Sequence, residues 1–149
     1  MVPNVTQIMK YPTIIIDDSS IQRLATTFLV KNHPKLDLIG AFDNPFEGVK
    51  AIYDHKAEIV FLDVLMDKVD AFEILDSIEV NAAIIMNSTW SKFAMPAYDY
   101  GINDFLTKPI SKKRFEQSVA KIIERLELKK NAERPIKTFP FSEALSEFP

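Results

Sequence analysis

The sequence predicts an α/β fold, a (βα)5 doubly wound five-stranded parallel sheet, and three observations carry that expectation. Short β-rich runs alternate with stretches of helical period at a regular beat. The strand candidates are apolar almost throughout, as strands covered on both faces must be. Turn and cap residues stand at the changes of period. Strands that alternate with helices demand right-handed crossovers, which place helices on both faces of a parallel sheet.

In chain order, the strand candidates are residues 13–16, 36–41, 59–62, 83–86 and 105–106. Between them, Ile21, Leu24, Ala25, Phe28 and Leu29 stripe a first helix, and Phe46, Val49, Ile52 and Tyr53 a second. Phe72, Leu75 and Ile78 mark a third, and Phe115, Val119, Ile122 and Leu126 the last and longest. All four stripes are expected to face the core. Asn44, Pro45 and Glu47 occupy the N-cap, N1 and N3 positions of a capped helix, and Ser111 can cap the last one after Pro109. Pro96 falls where a fourth helix belongs and has no backbone donor, so that helix is expected to be delayed, kinked or short. Residues 131–149 lose periodicity and read as a tail, either a linker or a docking arm carrying Phe139, Phe141 and Phe148.

Composition narrows the function. With 149 residues, 47% hydrophobic and 26% charged, the chain is one globular domain that needs no staple. The absence of Cys and the presence of two histidines, His33 and His55, remove zinc clusters and thiol chemistry. Both histidines read as loop residues. No apolar run reaches the ~20 residues a bilayer span requires, and residues 1–12 do not resemble a signal peptide, so a cytoplasmic protein without membrane insertion is expected. Charge is segregated. Residues 1–107 carry 8 Lys and Arg against 15 Asp and Glu, a net of −7, whereas residues 108–137 carry 10 against 4, a net of +6. The basic stretch lacks interleaved aromatics and reads as a solvated helix face.

In a doubly wound sheet the ligand site lies outside the carboxyl ends of the strands. The first strand there runs into Asp17 and Asp18, and the third into Asp63. One acid closing a strand is an ordinary turn former, but three at matching positions crowd charge that a cation must relieve. Oxygen-only ligands suit a hard ion, and Mg²⁺ fits better than zinc. The fourth strand ends in Asn87, Ser88 and Thr89, and the fifth in Thr107, Lys108 and Pro109. A carboxylate nucleophile, Mg²⁺, a hydroxyl and an ammonium are the parts that phosphoryl transfer to an aspartate requires. A Lys-Pro bond can be cis, which would aim the Lys108 ammonium back over the sheet.

These residues lie in the motifs IIIDDSSIQR, IVFLDVLMDKVDAFEIL, IIMNST and YGINDFLTKPISKKRFEQSV, whose order and spacing resemble the response regulator receiver domains over residues 11–130. The resemblance implies the CheY-like, flavodoxin-type strand order 2-1-3-4-5. It makes Asp63 the phosphoacceptor, and Asp17, Asp18 and the backbone carbonyl of Leu65 its partners in holding Mg²⁺. Ser88 is the switch hydroxyl, Phe105 fills the aromatic switch position, and Lys108 meets the phosphoryl group. The 20-residue spacing from Ser88 to Lys108 is similar to receivers fused to LytTR DNA-binding domains. A receiver of this kind catalyses its own phosphoryl transfer and dephosphorylation and has no separate metabolic activity. The implied partners are a sensor histidine kinase or phosphotransfer protein, a second copy through the surface of helix four, strand five and helix five, and a DNA-binding effector domain if the chain is a fragment. Asp67 and Ala71 depart from the usual Pro and Gly after the phosphoacceptor, so a reshaped loop is expected there.

Three other readings compete. A pseudo-receiver would keep the fold as an interaction module and never be phosphorylated. A haloacid-dehalogenase-like phosphatase would need a second Asp where Leu65 stands, and dinucleotide binding would need a Gly-rich turn after the first strand.

Overall fold

The structure, a computed structural model, describes residues 9–133. Its elements run β1 (Tyr11–Ile16), α1 (Ser20–Lys31), β2 (Leu36–Phe42), α2 (Pro45–His55), β3 (Ile59–Asp63), α3 (Ala71–Ser77), β4 (Ala83–Ser88), a 3₁₀ turn (Ser91–Phe93), α4 (Ala94–Asp99), β5 (Asp104–Thr107) and α5 (Lys112–Glu133). The five strands are parallel in the order β2-β1-β3-β4-β5. The chain divides into two compact units, residues 1–116 and 117–149. The sheet belongs to the first. The described part of the second is the remainder of α5, in which Val119 and Ile122 are buried at the positions the period predicts. α5 continues to Glu133, three residues into what the sequence reads as tail; Phe139, Phe141 and Phe148 lie outside the described residues.

Alternation along the strands sorts the core of the first unit into two faces. Ile14, Ile16, Val60, Leu62, Ile84, Met86 and Phe105 join Ala51 and Ile52 of α2, Ala71 and Ile74 of α3 and Ala97 of α4 in one buried cluster. Gly48 admits this packing, because a Cβ there would lie 2.6 Å from Ile16. On the other face Phe61 is fully buried and stacks on Phe115 with ring centroids 5.5 Å apart. Truncation of such a ring to Ala costs ~3–5 kcal/mol.

The caps follow the sequence. Asn44 Oδ1 accepts from the N–H groups of Phe46 and Glu47, and Ser111 Oγ from that of Arg114. α4 is six residues long, with Pro96 in its first turn, where a missing N–H removes no helical bond. Leu65 and Asp70 form an isolated antiparallel bridge, Asp70 caps α3, and Ala71 has no left-handed backbone; among the described residues Lys56 is the one non-glycine with positive φ.

Three expectations require correction. On α1 the stripe of Ile21, Leu24, Ala25 and Phe28 faces solvent, with Ile21 80% and Phe28 68% exposed; Thr26 and Val30 are the buried positions. Arg23 lies on the inward 23, 26, 27, 30 face, and its guanidinium donates to the Asp17 carbonyl at 2.9 Å. On α2, Phe46 and Tyr53 are likewise exposed, and the covered positions are Gly48, Ala51 and Ile52. His33 lies in the connection after α1, as expected, but His55 lies in the last turn of α2 rather than in a loop. Among the described residues no helix is long and apolar enough to cross a membrane.

Candidate functional site

The carboxyl ends of β1 and β3 are adjacent, and each delivers its acids to the same edge. Asp17 is 2% exposed; its Oδ1 accepts from the Ser19 N–H at 3.0 Å and its Oδ2 from Lys108 Nζ at 2.8 Å. Asp63 closes β3 and meets the same ammonium at 3.0 Å. Asp18 is exposed, and its Oδ2 accepts from the Asp67 N–H at 2.8 Å, tying the β1 turn to the loop after β3. One oxygen from each of Asp17, Asp18 and Asp63 lies within 4.8 Å of the others, a donor set that could hold a metal ion. Lys108 reaches them from just past the end of β5, and its bond to Pro109 is cis.

This geometry leaves a charge surplus. Two buried carboxylates, Asp17 and Asp63, share one ammonium, and the exposed Asp18 lies beside them. Burial, followed by the charge of Asp17, raises the Asp63 carboxyl from its usual 3.8 to about 7, against the opposing pull of Lys108. A hard, oxygen-preferring dication fits both the donor chemistry and the surplus.

Ser88 and Phe105 stand on the other face of the strands that bring them there. Ser88 is paired with Thr107, and Phe105 lies two residues before Thr107, so the two share a face. The Ser88 hydroxyl oxygen accepts from the Trp90 N–H at 3.0 Å. The Phe105 ring is 7% exposed and belongs to the core cluster, so it points inward here. Leu65 is 47% exposed at the rim. Trp90 is also exposed, whereas Phe93 packs against the core.

Sequence reasoning left three residues without a role. Asn87 is paired with Asp63 in the sheet, is buried, and has no partner for Oδ1 among the described residues. Arg23 holds the Asp17 carbonyl, as above. Asp104 is a buried carboxylate opening β5 and accepts from Tyr98 and from the Phe105 N–H. The detectable signal was an acid at the start of an apolar strand.

A family model described as the response regulator receiver domain matches residues 13–120. Among curated proteins, an uncharacterised response regulatory protein of Vibrio cholerae is 26% identical over 112 residues, covering 74% of this chain and 47% of its own length. The transcriptional regulatory protein BtsR of Escherichia coli is 23% identical over 111 residues, 73% of this chain and 46% of its own. The chain therefore spans about half the length of the curated relatives it matches. Among solved structures, the response regulator domain of Thermotoga maritima CheB has a TM-score of 0.63 at 23% identity, covering 82% of this chain and 97% of that one. The receiver domain of AraT from Geobacillus stearothermophilus has a TM-score of 0.69 at 20% identity, covering 82% and 99%.

Proposed function

Since the chain belongs to the response regulator receiver domain family of two-component systems, we propose that it takes a phosphoryl group on Asp63 and thereby switches a partner-binding surface. The observation that carries this reading is the convergence of Asp17, Asp18 and Asp63 around Lys108. Asp17, Asp18, Asp63 and the Leu65 carbonyl would hold Mg²⁺, which supplies neutralisation of the carboxylates and of the phosphoryl oxygens. Asp63 attacks phosphorus in line, and the bond to the donor nitrogen breaks with its electron pair retained by that nitrogen. Lys108 then leaves the bare carboxylate for a phosphoryl oxygen. Ser88 releases the Trp90 N–H and turns to another, vacating space that shifts the population further toward the inward Phe105 seen here. That shift follows only to the extent that the phosphoryl group binds the two states differently.

The phosphodonor is a sensor histidine kinase or a phosphotransfer protein. The exposed apolar stripe of Ile21, Leu24 and Phe28 on α1, which follows directly from Asp17 and Asp18, suits contact with such a donor. Residues 11–130 form the receiver and 131–149 the tail. The surface of α4, β5 and α5 carries the output, as a homodimer contact or toward an effector. BtsR, a transcriptional regulatory protein about twice as long as its matched part, supports a DNA-binding effector in a longer form of this chain, of the LytTR type that the spacing resembles.

Intact-mass spectrometry after incubation with Mg²⁺ and acetyl phosphate tests the reading. One phosphoryl mass is gained by the protein and none by Asp63→Asn. No gain by the folded wild-type protein would overturn it in favour of an interaction module.

A further inference from the structure

At the edge of the sheet one buried carboxylate ties three elements together. Asp104, 3% exposed at the start of β5, accepts on Oδ1 from the Tyr98 hydroxyl of α4 at 3.0 Å and from the Phe105 N–H at 2.9 Å. Its Oδ2 lies 3.5 Å from the guanidinium of Arg114 in the first turn of α5. The same guanidinium nitrogen reaches the Phe105 carbonyl at 3.5 Å. The peptide groups on both sides of Phe105 are therefore held by one pair of charged side chains. Ser111 caps the turn from which Arg114 projects, so the cation is itself positioned. Burial, followed by the hydrogen bond and charge of Asp104, raises the Tyr98 phenol above its usual value, which keeps it a donor.

A cavity of about 560 Å³ lies against this network, and Ala94, Tyr98, Phe105, Thr107 and Arg114 are among its lining residues. Phe105 thus has open volume beside it and a backbone clamped from both directions. We propose that Tyr98, Asp104 and Arg114 form a clasp that holds Phe105 inward and sets how often the unphosphorylated protein visits the outward state. The proposal rests on the reading of Phe105 as the switch residue. The three side chains are positioning residues; none meets the reacting atoms.

The test reads residue 105 without any phosphodonor, so it stands apart from the fate of Asp63. The full chain is labelled with 4-fluorophenylalanine, and the signal of residue 105 among its 11 Phe is assigned by its loss in Phe105→Tyr. Fluorine relaxation dispersion then measures the minor-state population in wild type, Tyr98→Phe and Asp104→Asn. Each variant should raise that population by roughly twofold to tenfold, the factor that one net hydrogen bond represents. The remaining fluorine signals should stay as in wild type, which general loosening would not permit. Unchanged dispersion at residue 105 in folded Tyr98→Phe overturns the clasp, and so does equal broadening of every signal. Tyr98→Phe removes only a hydroxyl from a half-exposed ring, so it decides the matter even where Asp104→Asn does not fold. Acetyl phosphate with Mg²⁺, applied to the same samples and read by mass, separates a failed clasp from a failed phosphoacceptor: a clasp without phosphoryl uptake refutes only the reading of Asp63.

Discussion

Two carboxylate centres of this molecule are built from similar groups and differ in their charge count. Around Asp63, among the described residues, three carboxylates cluster and two of them pair with Lys108; around Asp104, the carboxylate lies 3.5 Å from the guanidinium of Arg114. The second centre pairs its carboxylate with a cation and adds Tyr98 as a neutral donor. The first has more carboxylates than cations, and burial, followed by the charge of Asp17, raises the Asp63 carboxyl to about 7. Excess charge held at strand ends marks a place prepared for a ligand, whereas balanced charge at a strand edge marks a joint.

Removal of Lys108 should break this contrast most severely. Lys108→Ala leaves Asp17 and Asp63 buried without a cation, and denaturant unfolding at pH 8 with chelator should show a loss on the order of 3–5 kcal/mol. The deficit should shrink toward pH 5, as protonation removes the uncompensated charge; an equal deficit at both pH values would mean that packing, not charge, was lost.

Asp63→Asn should act in the opposite direction. The folded-state pKa of Asp63, about 7, lies above its ordinary 3.8, so between those values the native state binds a proton that the unfolded chain has released. Wild-type stability therefore falls as pH rises through that window. The variant escapes the fall and should exceed wild type by on the order of 2 kcal/mol at pH 8 without dication, with little difference at pH 4. Melting curves at the two pH values check the crossover.

Asp104→Asn should cost less, about 1 kcal/mol, because Arg114 is 45% exposed and its share of the pair is screened by solvent. Unlike the two changes above, this loss should be the same with and without Mg²⁺. The smallest effect belongs to His33, whose pKa burial lowers from 6.5. Its folded-state value lies below its unfolded one, so His33 contributes stability above pH 6.5 that is lost on acidification. His33→Gln should flatten that shallow acid slope in thermal melts, and its ring signal in wild type should titrate below 6.5 by NMR.

The two centres also differ in how far the sequence reveals them. Asp17, Asp18, Asp63 and Lys108 were legible because each ends a strand, and strand ends of a doubly wound sheet meet at one edge whatever the details of packing. The short α4 follows from an equally local signal, Pro96, whereas the strand order is implied by the family resemblance. Helix rotation was not legible. α1 offers an apolar stripe through Ile21, Leu24 and Phe28 and a mixed one through Arg23, Thr26 and Val30, and hydropathy favours the wrong one. The buried face carries a bond from Arg23 to the Asp17 carbonyl six residues back, which no periodicity reports. Asp104 was hidden for a related reason: its partners come from α4 and α5, and a lone acid in a strand carries no mark of what will pair with it.

Calorimetric titration with Mg²⁺ at pH 8 tests the charge-surplus account most directly. Wild type and Asp104→Asn should each bind one ion with the same affinity, and the double variant Asp17→Asn, Asp18→Asn should bind none. Absence of Mg²⁺ binding by the folded wild-type protein, or undiminished binding by the double variant, would contradict the claim that the surplus at the strand ends is what makes that centre functional.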